Sequence, residues 1–224
     1  MNIAYYVKQL DVLYEDNHII VVTKYRDILS QEDSTGDLDM LSIVKAYLKE
    51  KYNKPGAVFL GLVHRLDRRV GGVMVFAKTS KGASRLSDSI RKKEMGKKYL
   101  AIVKGYLQGS GTFIDKINKE NKKAVISDFG VESVLNYNVI RNFYLDNIIY
   151  TVVEVELITG RYNQIRIQFS SRGLPLLNDF KYDYRGTNYN NEIGLWSYEL
   201  TLIHPISKER LFFKKEPDGQ IWKY

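Results

Sequence analysis

Val63-His64-Arg65-Leu66-Asp67-Arg68-Arg69-Val70-Gly71-Gly72-Val73-Met74-Val75-Phe76-Ala77-Lys78 is the stretch from which the rest of the chain can be read. It sets one carboxylate, Asp67, among Arg65, Arg68 and Arg69, just ahead of a Gly-Gly turn and the apolar run Val73 to Ala77, which predicts a buried strand. Opposite charges within a few ångströms favour an ionised carboxylate, competent as a nucleophile or base. On spacing alone, acid and base mixed beside a turn read more readily as a solvated surface loop.

The 224 residues suit a single domain, 1–224, and 44% hydrophobic content is enough for a substantial core. There is no cysteine, and His18, His64 and His204 show no ligand spacing, so neither a disulfide nor a protein-held metal is expected. No apolar stretch approaches the ~20 residues of a spanning helix. The first residues lack the basic-then-apolar order of a signal peptide, so a cytoplasmic location away from membranes is expected. A net charge of +8 favours a polyanionic partner. Between Lys78 and Lys98, eight Lys and Arg residues face only Asp88 and Glu94, the clustering that phosphate contacts need and that a solvated helix face also shows.

Working outward, residues 10–24 read as two strands joined by Asp16-Asn17-His18, the second β-branched from Ile19 to Val22. Leu41, Val44 and Leu48 follow a helical period within Leu38 to Tyr52, stopped near Pro55-Gly56. Thr79 or Ser80 can cap a helix running to about Arg91, after which Lys97 to Val103 returns to strand. Residues 106–130, with Gly109-Ser110-Gly111 and the polar tract Lys116 to Lys123, suggest a mobile loop or a hairpin. Val131 to Ile158 alternates as two antiparallel strands across Leu145-Asp146-Asn147. Gly160 turns the chain into a helix from near Tyr162, with Ile165 and Phe169 on one face and Arg166 pointing away, stopped by Gly173-Leu174-Pro175. Residues 183–193 read as loop, and Leu195 to Ile203 and Leu211 to Phe213 as closing strands.

The opening stretch resembles the catalytic motif of the RluA/RluD-type pseudouridine synthases: His-Arg-Leu-Asp, a variable pair, two small residues, Gly, and an apolar strand ending Phe-Ala-Lys. Here Val70-Gly71-Gly72 stands where Thr-Ser-Gly is commoner. Other blocks are similar to the family's: Leu13-Tyr14-Glu15-Asp16 with a following strand and Lys24, where Tyr25 replaces Pro; Lys98-Tyr99-Leu100-Ala101; and Gln164-Ile165-Arg166, preceded by Tyr162-Asn163 in place of Thr-His. Leu176-Leu177-Asn178-Asp179 is like an apolar-apolar-Gly-Asp block, with Asn178 for Gly. The resemblance runs from about Val12 to Phe213. About ten residues precede the first block, too few for the S4 domain of many relatives, so a stand-alone catalytic core is expected.

The resemblance implies an α+β fold, a mixed, largely antiparallel sheet flanked by helices, with an active-site cleft between two halves of that sheet. It implies isomerisation of uridine to pseudouridine in structured ribosomal or transfer RNA, by a monomer with no cofactor or metal. Asp67 becomes the catalytic carboxylate, Arg166 the guanidinium that pairs with it, and Tyr99 the ring that stacks on the uracil. His64, Arg65, Arg68, Arg69, Lys78, Arg161 and Gln164 become RNA contacts. A glycosidase or nucleosidase is one rival, but it normally needs two carboxylates. Glu94 and Asp179 are the nearest second acids, and Asp179 reads as structural. A non-catalytic RNA-binding relative is the other rival, favoured by the changes at Val70, Gly71 and Asn163 and disfavoured by Asp67, Tyr99 and Arg166 together.

Overall fold

The computed structural model describes residues 2–224. Its elements run, in chain order, α1 (Ile3–Lys8), β1 (Val12–Glu15), β2 (Ile19–Lys24), α2 (Met40–Lys51), β3 (Gly61–Leu62), β4 (Gly71–Ala77), α3 (Ser80–Arg91), β5 (Gly96–Lys104), β6 (Ser110–Glu120), β7 (Lys123–Ile126), β8 (Val131–Leu145), β9 (Ile148–Leu157), α4 (Gln164–Ser170), β10 (Leu195–Ile203) and β11 (Arg210–Lys214). They gather into two units, Met1–Met95 with Glu199–Glu216, and Gly96–Tyr198 with Pro217–Tyr224. The expected α+β class holds: strand pairing within each unit is antiparallel apart from one parallel bridge, Leu29 to Asp39, and helices are few.

In the first unit the two runs richest in β-branched residues find each other. β2 and β4 are buried along their whole length and pair antiparallel, Ile19 opposite Ala77 and Lys24 opposite Gly72. A strand buried on both faces needs no alternation, which is why both read as continuous apolar runs. Ile19, Val21, Val73 and Val75 pack with Leu86 of α3 and Leu200 and Leu202 of β10. Each such side chain contributes about 1.5–3 kcal/mol when fully buried, so Val75→Ala would loosen the strand that carries the Asp67 loop. The predicted helices form, the one after β4 with its predicted Thr79 cap. Asp39 accepts the Ser42 N–H at the start of α2, and Thr79 accepts that of Gly82 at the start of α3. α1 went unpredicted because six residues with only Val7 buried are too short to show a period.

In the second unit, β5, β9, β8, β6 and β7 lie in that order. The predicted turn between β8 and β9 has both Asp146 and Asn147 at positive φ (50° and 62°), the type I′ geometry that matches strand twist. Residues 106–130 are a long ordered hairpin rather than a mobile loop. Its inward residues, Phe113, Ile117 and Ala124, are few and widely spaced, so the polar outward residues masked the alternation. α4 begins at Gln164, not Tyr162, because Asn163 takes a left-handed φ of 51° that an α-helix cannot continue through. Ile165 and Phe169 are buried as predicted, Phe169 meeting Phe113 edge to face at 5.1 Å. The chain passes from the second unit into the first within β10.

Candidate active site

Asp67 lies in the loop between β3 and β4, half-buried, at the first position of a turn closed by the Val70 N–H donating to the Asp67 carbonyl at 3.0 Å. The backbone on both sides of it is clamped. Before it, the buried Ser30 hydroxyl donates to the Leu66 carbonyl at 2.8 Å and accepts the Leu66 N–H at 3.1 Å. After it, Lys24 reaches under the turn from the end of β2 and donates to the carbonyls of Arg68 (3.0 Å), Val70 (2.8 Å) and Tyr25 (2.9 Å). The loop then enters β4 through Gly72, whose φ of 119° only glycine adopts readily.

Lys24 is fully buried. Burial pulls its pKa down to about 7, opposed by the carboxylates of Asp27 and Asp67 and assisted by Arg68. Three carbonyl acceptors match the three N–H donors of an ammonium. The group beneath the Asp67 turn is therefore a lysine from a strand more than forty residues earlier, one whose charge is lost as pH rises through about 7. Lys24 stands in one of the family blocks, where the sequence alone assigns it no role. The available signal was a lysine closing a strand that opens with four β-branched apolar residues, Ile19 to Val22.

The remaining predicted residues of this unit divide. Arg65 is exposed. Arg68 is partly exposed and bonds Asp37 at 2.6 Å and the Asp27 carbonyl at 3.3 Å, and Arg69 is half-buried. His64 accepts the Val75 N–H at Nε2 (3.1 Å), which ties the loop to β4. The Lys78 ammonium, only 9% exposed, pairs with Glu15 at 2.6 Å and donates to the Asp16 carbonyl, so its charge is balanced inside the unit.

In the second unit Tyr99 is buried on β5, opposite Val155. Arg166 is 7% exposed and makes a two-pronged pair with Asp179, Nε to Oδ2 at 2.8 Å and Nη2 to Oδ1 at 2.6 Å. Its guanidinium carbon lies 4.9 Å from the centre of the Tyr182 ring. A planar guanidinium held by a fork and a ring has little freedom to turn. Asp179, fully buried in this pair, fits the structural role read for it and not that of a second catalytic acid. Tyr182 is itself fixed, its hydroxyl accepting from Asn163 Nδ2 at 2.9 Å and from the Ala124 N–H at 2.7 Å. Asn163, the departure from the family's His, thus serves both the left-handed turn and the ring beneath Arg166.

Gln164 is turned into the unit. It is 2% exposed, and its amide accepts from Thr159 and the Arg161 N–H and donates to the Val134 carbonyl. These bonds hold its amide to the residues on either side of the turn before α4 and to β8. Arg161 beside it is exposed. Lys97, two residues before Tyr99, is half-buried, and burial lowers its pKa. Among the described residues no group of His, Asp or Glu side chains is arranged to hold a metal ion, and no helix is long and apolar enough to cross a membrane.

Comparison with known proteins adds a family. A model described as RNA pseudouridylate synthase matches residues 18–171. The chain is 30% identical to an uncharacterised RNA pseudouridine synthase of Bacillus subtilis over 205 residues, covering 90% of this chain and 66% of that one. It is also 30% identical to the ribosomal large subunit pseudouridine synthase D of Vibrio parahaemolyticus over 230 residues, covering 95% and 69%. The enzyme of the same name from Escherichia coli K12 matches at 31% over 180 residues, of which this chain spans 53%. Curated relatives are thus substantially longer than the matched region. Among solved structures, human RNA Pseudouridylate Synthase Domain Containing 4 superposes with a TM-score of 0.78 at 22% identity, covering 96% of this chain and 93% of that one, a likeness of fold.

Proposed function

The chain belongs to the RNA pseudouridylate synthase family, and on that premise we propose that it converts uridine to pseudouridine in structured RNA with Asp67 as the catalytic carboxylate. The observation that carries the proposal is the double clamp on the Asp67 loop, Ser30 at Leu66 and Lys24 at Arg68 and Val70. A surface turn of mixed charge has no need of a fully buried lysine under it, whereas a carboxylate that must meet a sugar carbon in one geometry does.

The reaction breaks the N1–C1′ bond, turns the uracil and joins C5 to C1′; the proton leaving C5 is balanced by one gained at N1. No oxidant, reductant or co-substrate is required, so action without a cofactor or metal, by a monomer, is part of the proposal. Asp67 either attacks C1′ or takes a sugar proton. Tyr99 stacks on the base, and Arg166, held by Asp179 and Tyr182, supplies the guanidinium that steadies the carboxylate. Arg65 and Arg69 meet RNA, and Arg65 fills the place of a nucleotide drawn out of its stack. The relative from Vibrio parahaemolyticus is named for the large ribosomal subunit, which favours ribosomal over transfer RNA as substrate and a cytoplasmic location.

Tritium release from RNA carrying 5-tritiated uridine tests this reading. The wild-type protein is expected to release tritium, while Asp67→Asn binds the same RNA equally and releases none. Undiminished release by Asp67→Asn would remove Asp67 from the chemistry, and liberation of free uracil would move the protein to the nucleosidases.

A further inference from the structure

A cluster of lysines outside the Asp67 loop lies at the tip of the β6–β7 hairpin. Lys119, Lys122, Lys123 and, from the segment after α4, Lys181 gather there, and none has a carboxylate partner among the described residues. The acids at hand are Glu120, whose carboxylate bonds Asn118, and the exposed Asp183, which faces Arg185 at 3.9 Å. Like charges crowded together without acids repel one another, so the arrangement lowers its energy only when an external anion arrives.

The lysines do not wave freely. The turn is Asn121-Lys122, both at positive φ (44° and 61°), with Glu120 paired to Lys123, a type I′ hairpin. Its second position favours glycine, and a lysine there holds a strained backbone while keeping a charge at the tip. The Lys122 carbonyl accepts from the Tyr162 hydroxyl at 3.1 Å and from Lys181 Nζ at 2.6 Å, and the Ala124 N–H is bound to Tyr182. Three of the four ammonium groups rest on two tyrosine rings, Lys119 4.8 Å and Lys181 5.5 Å from the centre of Tyr162, Lys123 5.3 Å from that of Tyr182. These contacts fix the spacing of the charges, and an aromatic base leaves them exposed to a ligand where carboxylates would neutralise them.

We propose that this hairpin tip, with Lys181, is a docking surface for the sugar-phosphate backbone of the RNA substrate. The inference rests on the proposed function for the kind of polyanion, and it adds a binding surface on residues other than the Asp67 motif. Tyr182 joins the two: its ring carries Lys123 and Arg166, and its hydroxyl anchors both β7 and Asn163. RNA held on the hairpin therefore bears on an element that positions the catalytic arginine of the proposed mechanism.

The test measures affinity for bulk ribosomal RNA and bulk transfer RNA across a salt series, in the Asp67→Asn background so that binding is read without turnover. In the variant combining K119Q, K122G, K123Q and K181Q, the slope of log affinity against log salt is expected to be shallower by about 3, and affinity at moderate salt at least tenfold weaker. A variant carrying the same charge loss elsewhere, K8Q, K45Q, K49Q and K208Q, is the control. An unchanged slope in the hairpin variant, an equal change in the control, or a loss of binding to phosphatidylserine vesicles with RNA binding intact would each overturn the proposal. If the combined variant fails to fold, K122G alone, which relieves the left-handed lysine, and K119Q alone each read about one unit of slope. Absence of tritium release by the wild-type protein would sink the proposed reaction and leave this binding test standing.

Discussion

Lys24 is the residue on which the Asp67 turn rests, and its chemistry yields a measurable pH effect. Replacing it with methionine keeps the volume but leaves the carbonyls of Tyr25, Arg68 and Val70 without their donor. Lys24→Met is therefore expected to cost about 3 kcal/mol of stability in denaturant melts and to lower kcat far more than it raises KM. The sign of the pH dependence follows from burial, which holds the folded pKa near 7, below the 10.5 of a free lysine. Between those values the unfolded chain binds more protons, so the wild-type stability gains with rising pH, and the gap to Lys24→Met should widen from pH 6 to pH 10. A gap constant across that range would mean that the amine does not titrate there. Arg166 offers the matching case in the second unit: Asp179→Asn removes the charge but keeps one acceptor of the fork, and should reduce tritium release while the folded state persists.

Among the elements, β1, α2 and the end of β4 are tied through one carboxylate. Burial alone would raise the pKa of Glu15, but hydrogen bonds from Lys51, Lys78 and Tyr52 overcome it and hold the group at about 2. Because the folded value lies below the ordinary 4.5, this contribution is complete above pH 4.5 and is lost as pH falls towards 2. Glu15→Gln should cost about 2 kcal/mol at neutral pH and flatten the acid limb of a stability profile, which thermal melts from pH 6 to pH 3 would record. The elements were legible wherever a local pattern existed, as in the apolar runs of β2 (residues 19–22) and β4 (residues 73–77) and the Thr79 cap. They were least legible in β6 and β7, where Ile117 and Ala124 bury against Tyr182, more than fifty residues away in the chain.

For the whole molecule, the net charge of +8 acts on encounter with RNA more than on the chemical step. At subsaturating RNA, kcat/KM should fall more than tenfold between about 50 and 200 mM salt while kcat at saturation changes little. A kcat that fell in parallel would place the salt effect on the clamped Asp67 loop instead. The sequence by itself determined the family blocks, the strands and helices apart from α1 and the β6–β7 pair, and Asp67, Tyr99 and Arg166 as the candidates for chemistry, because burial periodicity and short motifs are local properties of a chain. Only the tertiary structure decided which charges meet: Lys24 under Asp67, Lys78 on Glu15, Asp179 on Arg166, and Gln164 turned inward. Each of these pairings depends on the distance between elements, which packing sets and no local pattern records.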